Sequence, residues 1–302
     1  MSEPLILAVE TSSRLGSVAL AVGPKLLAQI SFAGPTRHSA ELFPSICNLL
    51  ERFGRKPDQI EQVYISVGPG SFTGLRIAVT LAKMLHFANG AKVVAVDSLD
   101  VTAANILRLI APQASSIEHQ ASNIEYQVSS IEYRESSIEN QVSNIEKVAV
   151  VVDAKRNQFF IAVYENRTFI IEPLLTTHQS PLTSNEHQAS TPDPRPLLPD
   201  PRPPTPDPLL KILPDSLMTA EEFLQKFTDS DRPIHLLGDG LLYHKGKFTA
   251  TGVQFFDEKY WSPSAENVHL LGLRLAIDGH FSDPLTLTPN YLLRPDFKLK
   301  PR

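Results

Sequence analysis

Cysteine is all but absent from this 302-residue chain: Cys47 stands alone, which excludes an intramolecular disulfide and any multi-cysteine metal site. A basic excess is missing too. With 28 Lys+Arg against 33 Asp+Glu the formal charge is −5, so any RNA contact has to be local or borrowed from a partner. No uninterrupted run of about 18 apolar residues occurs, and Met1-Ser2-Glu3-Pro4 lacks the basic start of a signal peptide. The expectation is a cytoplasmic protein with no membrane anchor. A GxSxG elbow, an HExxH helix and a Ser-His-Asp set with a local signature are also missing.

What is present begins with two periodic stretches. From Ser115 to Lys147 a seven-residue unit repeats, with Ile117, Ile124, Ile131, Ile138 and Ile145 in register. Paired with Ala121, Val128 and Val142 these give a coiled-coil seam, but the Ser-Ser and Ser-Asn openings and Glu135 at a seam position favour a flexible loop. From Thr176 to Ile212 the units PDPRPLL, PDPRPPT and PDPLLKI again repeat every seven residues, a composition that excludes helix and central strand. The predicted organisation is an amino-terminal lobe over 1–112, an insertion over 113–147, and a carboxy-terminal lobe over 148–302 interrupted by a disordered insertion at 176–212. The last helix and tail of that second lobe are expected to pack back on the first.

The remainder repeats one pattern. Leu5 to Glu10 is an apolar run ending in an acid, followed by a polar turn and the apolar run Ser17 to Val22. Val148 to Asp153, a polar turn and Phe159 to Tyr164 repeat it, with Asp153 in the place of Glu10. Between them, Ser39 to Phe53 and Leu75 to Phe87 have helical apolar spacing, and Val63 to Val67 and Val93 to Val96 read as strands. Ser98 is the predicted cap of a helix through Leu109; a strand over Ile234 to Leu237 and a helix from Ser264 to Ile277 follow. A duplicated hairpin-plus-helices unit predicts a two-lobed α/β fold of the actin, sugar kinase and Hsp70 ATPase (ASKHA) type.

Gly68-Pro69-Gly70-Ser71-Phe72-Thr73-Gly74 joins a predicted strand to a predicted helix. Such a loop either holds an anion at the helix start or places the helix for packing, the second being favoured here. It lacks the Lys-Ser/Thr pair of a Walker A loop. Arg76 either meets an anion or pairs with a surface carboxylate. Glu10 and Asp153 suit water-mediated magnesium beside a nucleotide, or merely satisfy turn amides. His38 and Glu41 have ligand-compatible spacing but no third partner, which favours a capping or interface role for Thr36, His38 and Ser39.

LAVETSS (Leu7 to Ser13), RHSAELFPSI (Arg37 to Ile46), VGPGSFTGLRIA (Val67 to Ala78), VDSLD (Val96 to Asp100), VVDAKRNQFFIAVY (Val151 to Tyr164), LGDG (Leu237 to Gly240) and TPNYLLR (Thr288 to Arg294) resemble the TsaB family, also called YeaZ. The resemblance implies a non-catalytic partner of TsaD, the enzyme that transfers a threonylcarbamoyl group from its adenylate to the adenosine beside the tRNA anticodon. It implies pairing with TsaD, or with a second copy when TsaD is missing, through the amino-terminal helices, and docking of the ATPase TsaE at the junction. tRNA is then reached indirectly, through the complex. Leu42, Ile46, Leu49, Phe72, Leu75, Arg76, Val79 and Lys83 are the expected contact residues. Glu41 and Leu42 stand where a second metal-binding histidine would be needed, so no metal site is expected. No cofactor is required; weak ATP or ADP binding is assigned to Glu10, Thr11, Gly68, Gly70, Ser71 and Asp153. Glu10 replaces the usual Asp, which argues against ATPase activity in the isolated chain. A small-molecule kinase and a metallopeptidase are the competing classes, and the basic tail Arg294 to Arg302 is read as solvated rather than RNA-bound.

Overall fold

A computed structural model of the chain describes residues 3–33, 38–110, 145–167, 208–229 and 231–292. The repeat units from Ser115 to Asn144, the residues 168–207, Thr36, Arg37 and the tail from Leu293 on lie outside the described residues, as do the side chains of His38 and Ser39.

Two five-stranded sheets carry the fold. The first contains β1 (Leu5–Glu10), β2 (Leu15–Val22), β3 (Lys25–Ala33), β4 (Gln62–Ser66) and β5 (Lys92–Val96) in the order β3-β2-β1-β4-β5. The second contains β6 (Lys147–Lys155), β7 (Gln158–Asn166), β8 (Leu209–Met218), β9 (Ile234–Leu237) and β10 (Val253–Phe255) in the order β10-β9-β6-β7-β8. Matching β1 to β6, β2 to β7 and so on makes the two orders identical. In each, the first strand pairs antiparallel with the second and parallel with the fourth. This is the two-lobed ASKHA-like architecture.

β1 is buried along its whole length because helices cover both faces of its sheet. Leu5, Leu7 and Val9 pack under α1 (His38–Arg52) and α2 (Phe72–Asn89), with Leu42, Leu49 and Ala78. Ile6 and Ala8, pointing the other way, meet the carboxy-terminal helix Ala265–Ile277 through Ala265 and Val268. That helix sits close: a Cβ on Gly272 would lie 2.6 Å from the Tyr64 ring. The exchange runs both ways, since α3 (Ser98–Ala103) sends Leu99 and Ala103 into the core of the second lobe beside Val148 and Phe159.

Several expectations need correction. A boundary at 112 does not separate the cores, because α3 sends Leu99 and Ala103 into the core of the second lobe while its Val101 packs in the first. Ile145, fifth in register in the first repeat, is a core residue, and β6 begins at Lys147, so the insertion ends before Ile145. The last proline-rich unit also ends in structure: Leu209 to Ile212 form the start of β8. β8 is an edge strand, the one sheet position where Pro214 is tolerated. α3 is capped by Asp97, whose side chain accepts from the amides of Leu99 and Asp100, while Ser98 Oγ accepts from Gly68 N instead. Finally β3 and β8, the third strand of each sheet, extend the predicted hairpins. Among the described residues, no helix is long and apolar enough to cross a membrane.

Gly74 of the Gly68–Gly74 loop, compared with Gly246, gives a direct test of this packing. A Cβ on Gly74 would lie 1.8 Å from the Thr11 carbonyl oxygen, whereas one on Gly246 meets nothing within 4 Å. Gly74→Ala should therefore destabilise the chain by about 3 kcal/mol, with Gly246→Ala within about 0.5 kcal/mol of the parent, in urea titrations followed by circular dichroism.

Candidate functional site

β1 delivers Glu10, fully buried, to the first turn. Its Oε1 accepts from Ser12 N at 2.5 Å and Ser12 Oγ at 2.6 Å, while Oε2 is buried without a hydrogen bond. Burial pushes the Glu10 carboxyl above the usual range, against the bonds from Ser12 and the nearby Ser66 hydroxyl. The Gly-rich loop closes over this turn. Ser71 N donates to Ser12 O at 2.7 Å, Thr11 Oγ1 donates to Gly74 O at 2.8 Å, and Ser71 Oγ caps α2 by accepting from Gly74 N. A Cβ on Gly70 would lie 2.4 Å from Ser12 O. Gly70 and Gly74 are thus glycines because backbone meets backbone there. At the start of α2 the amides of Ser71 and Gly74 are thus taken up by the chain's own groups.

Glu10, Thr11, Gly70 and Ser71 come together as the sequence reading grouped them. Gly68 turns away: its φ is 116°, and a Cβ there would lie 2.7 Å from the Asn290 carbonyl. Asp153 lies on the second lobe, at the end of the equivalent hairpin. Burial raises its pKa, but hydrogen bonds and an ion pair from Lys155, at 2.6 Å, leave it below the usual carboxylate range. Between the two acids stands Asp239, 9% exposed and unnoticed in the sequence although it centres the LGDG motif. Its carboxyl is pushed up to about 6 by burial and by the charge of Asp153, against a hydrogen bond from the Arg14 amide. The second lobe repeats the glycine device, since a Cβ on Gly238 would lie 2.2 Å from Val151 O. Asp239 therefore lies within electrostatic reach of Glu10 on the first lobe and of Asp153, with Arg14 near Asp239 and with Lys155 and His244 near Asp153.

The predicted contact residues divide by burial. Leu42, Ile46, Leu49, Leu75 and Val79 point into the lobe's own core, which removes them from any surface. Phe72 is half-buried against Tyr291, with the exposed Arg76 guanidinium 4.9 Å from its ring centre; Lys83 is half-buried. The outer faces of α1 and α2 instead show Phe43, Met84 and Phe87, at 45%, 54% and 67% exposure, with Cys47 beside them on α1. Periodicity locates an apolar stripe; these three lie off it and were missed for that reason.

A second constellation had no sequence signal. Lys211 Nζ, on β8, lies 3.4 Å from Asp97, 2.9 Å from Asp100 and 2.5 Å from Asp215, and Tyr164 donates to Asp100 at 2.7 Å. Asp97, Asp100, Tyr164 and Lys211 border a cavity of about 380 Å³ walled by Leu107, Leu209 and Leu271. Burial works against the lysine's charge, but the carboxylates hold its pKa above the ordinary value. Asp97 is pushed up to about 7, by burial first and then by Asp215, with Lys211 opposing. Among the described residues no group of three His, Cys, Asp or Glu side chains is arranged to hold a metal ion.

Comparison with known proteins gives this geometry its context. A family model described as TsaD, tRNA N6-adenosine threonylcarbamoyltransferase, matches residues 33–114. The tRNA threonylcarbamoyladenosine biosynthesis protein TsaB of Bacillus subtilis (strain 168) is 35% identical over 100 residues, 33% of this chain and 44% of that protein. TsaB of Haemophilus influenzae is 31% identical over 104 residues, 34% of this chain and 43% of its own length. The structure of YeaZ from Pseudomonas aeruginosa superposes with a TM-score of 0.63 at 18% identity, covering 96% of this chain and all of that one. The chain is similar to TsaB (YeaZ) proteins, in sequence over part of their length and in fold over nearly all of it. The aligned sequence spans less than half the length of these TsaB relatives, so the kinship in sequence lies in a limited region while the fold extends over nearly the whole chain. A second Pseudomonas aeruginosa structure, at TM-score 0.62 and 19% identity, is titled as similar to peptidase YeaZ.

Asp97 sets a pH dependence whose sign is fixed. A carboxyl whose pKa rises on folding, here from 3.8 to about 7, binds its proton more tightly in the folded state, so its contribution to stability falls as pH climbs between those values. Asp97→Asn keeps the capping oxygen and removes the titration. Relative to the parent, the Asn variant should gain up to about 1.4 kcal/mol per pH unit between pH 5 and about 7 in urea unfolding; parallel curves would contradict the assignment.

Proposed function

We propose that the chain is a non-catalytic activator of threonylcarbamoyl transfer to tRNA, acting as the partner of a TsaD-type enzyme. The observation that carries this reading is the closure of the Gly-rich loop on the Glu10 turn. Where an ASKHA enzyme would present helix amides to a phosphate, Ser12 O and Ser71 Oγ already take up the donors of Ser71 and Gly74. The names of the relatives supply the pathway, and the exposed Phe43, Met84 and Phe87 supply a surface for the partner. In this reading α1 and α2 bind TsaD, or a second copy when TsaD is missing, and TsaE docks at the junction. tRNA is reached through the assembly. No cofactor is required, and ATP or ADP binds weakly at most.

The three carboxyls Glu10, Asp153 and Asp239 favour one rival, a small-molecule kinase. It requires nucleotide turnover by the isolated chain.

The deciding assay is threonylcarbamoyl transfer onto unmodified tRNA by purified TsaC, TsaD and TsaE with threonine, bicarbonate and ATP, with and without this chain. Product that depends on the chain, with no ATP hydrolysis by the chain alone, is expected. Equal product without it, from partners that bind it, would overturn the reading. In the same assay Phe43→Asp combined with Phe87→Asp should lower chain-dependent product at least about 10-fold while leaving the melting curve nearly unchanged, because both side chains lie outside the core.

A further inference from the structure

Where the two hairpin turns meet the short helix Leu241–His244, cations gather that the net charge of −5 does not foreshadow. The β6–β7 turn carries Lys155, Arg156 and Asn157 with φ of 69°, 54° and 64°. Asparagine adopts that left-handed conformation readily; lysine and arginine do so at a conformational cost. Two long cationic side chains are therefore held at the tip of a hairpin. Lys247 Nζ donates to Asn157 Oδ1, which ties the tip to the segment after the short helix. Lys245 is exposed on the same segment, its ammonium 4.8 Å from the centre of the Phe255 ring. From the first lobe, Arg14 lays its guanidinium 4.5 Å from the centre of the Tyr243 ring, and that ring is 70% exposed.

The balance of charge here is positive. Arg14, Lys155, Arg156, Lys245 and Lys247 stand against Asp153, which Lys155 already holds and His244 approaches at 3.8 Å, and against the buried Asp239 and Glu10. A cationic rim alone fits an acidic protein or a polyphosphate chain equally well. The exposed aromatic ring beside it favours a nucleic acid, because a base stacks on such a ring while lysines and arginines take the backbone. The described residues that border the insertions in the second lobe lie away from the patch. Ile145, Arg167 and Pro208, where the described chain borders them, lie at one end of β6 and β7, and the Lys155–Asn157 turn lies at the other, nine residues along.

We propose that the Lys155–Asn157 turn, Arg14, Tyr243, Lys245 and Lys247 form a binding surface for a single-stranded segment of RNA, with the backbone on the cations and one base stacked on Tyr243. The choice of RNA rests on the function proposed above, and it makes the contact with tRNA direct as well as through a partner.

The test is fluorescence anisotropy with the full chain and a labelled anticodon stem-loop transcript, at about 50 mM and about 200 mM salt. Binding at the lower salt that weakens at least about 10-fold at the higher is expected. Lys155→Ala, Arg156→Ala, Lys245→Ala and Lys247→Ala combined should weaken binding about 10-fold or more. Tyr243→Ala should weaken binding of the stem-loop but not of a fully paired duplex, and Arg55→Ala with Lys56→Ala, on the first lobe, should change nothing. Circular dichroism and melting curves confirm that each variant is folded. Absence of binding by the parent at the lower salt, parent-like binding by the folded quadruple variant, or indifference to Tyr243→Ala overturns the proposal. So does competition by polyglutamate as effective as that by polyuridylate, which would mark an acidic-protein surface. If the chain activates transfer but binds no RNA, only this proposal fails; if it binds RNA but activates nothing, the function proposed above fails.

Discussion

Two carbonyl oxygens, those of Thr11 and Ser12, determine where α2 begins. Neither leaves room for a Cβ on the loop that passes them, so Gly74 and Gly70 seat the helix start directly on the β1–β2 turn. With its first turn pinned there, α2 runs back across β4 and β5 and lies beside α1 over the buried Leu7 and Val9. The outward face of both helices, with Phe43, Met84 and Phe87, is set by the same contact, since rotating either helix would bring these rings into the core in place of Leu42 and Leu75. The second lobe uses an equivalent device: Gly238 follows β9 as the loop follows β4, and it meets Val151 on β6 as Gly74 meets the end of β1. One steric rule, used twice, faces the two turns toward each other.

Much of this was legible in the sequence because it is local. The runs Leu5 to Glu10 and Val148 to Asp153 read as buried first strands, each ending in an acid, and the two sheets confirm the repeat by their identical strand orders. The helices were legible from period. Their orientation was not, because a stripe at helical spacing identifies the face that is buried and is silent about what lies opposite; Leu42, Ile46 and Leu49 were therefore selected where Phe43 and Phe87 are the exposed residues. The insertion boundaries misled for a different reason. Ile145 and Leu209 each belong to a seven-residue repeat and to the fold at once, and a repeat in sequence does not announce where tertiary contacts take it over.

The Lys211 constellation was illegible because its members arrive from separate elements. Asp97 and Asp100 cap and open α3, Tyr164 lies on β7, and Lys211 and Asp215 lie on β8. One ammonium among three carboxylates leaves excess negative charge, and burial makes that excess costly. Asp97 relieves it by retaining a proton toward neutral pH. Charge is thus matched to protonation at the seam between the lobes. There the two exchanged helices, α3 in one core and Ala265–Ile277 in the other, also bind them through Ala265 N to Ser17 Oγ at 2.8 Å.

The placement of the insertions follows from the same sheets. Asn166 N donates to Glu146 O and Arg167 N to Pro208 O, so the described ends on either side of the second inserted segment meet beside the residue at which the first one ends, at one end of β6 and β7. Closing a loop whose ends are already held together grows in entropic cost only with the logarithm of its length, by about 0.6 kcal/mol for each doubling. Lengthening at that end therefore costs the fold little. The same lengthening at the opposite end would displace the Lys155–Asn157 turn and break its tie to Lys247. On α1 or α2 it would break the packing on β1 and β2. The chain has expanded where its sheets tolerate it, away from the Lys155–Asn157 turn and from the exposed Phe43, Met84 and Phe87.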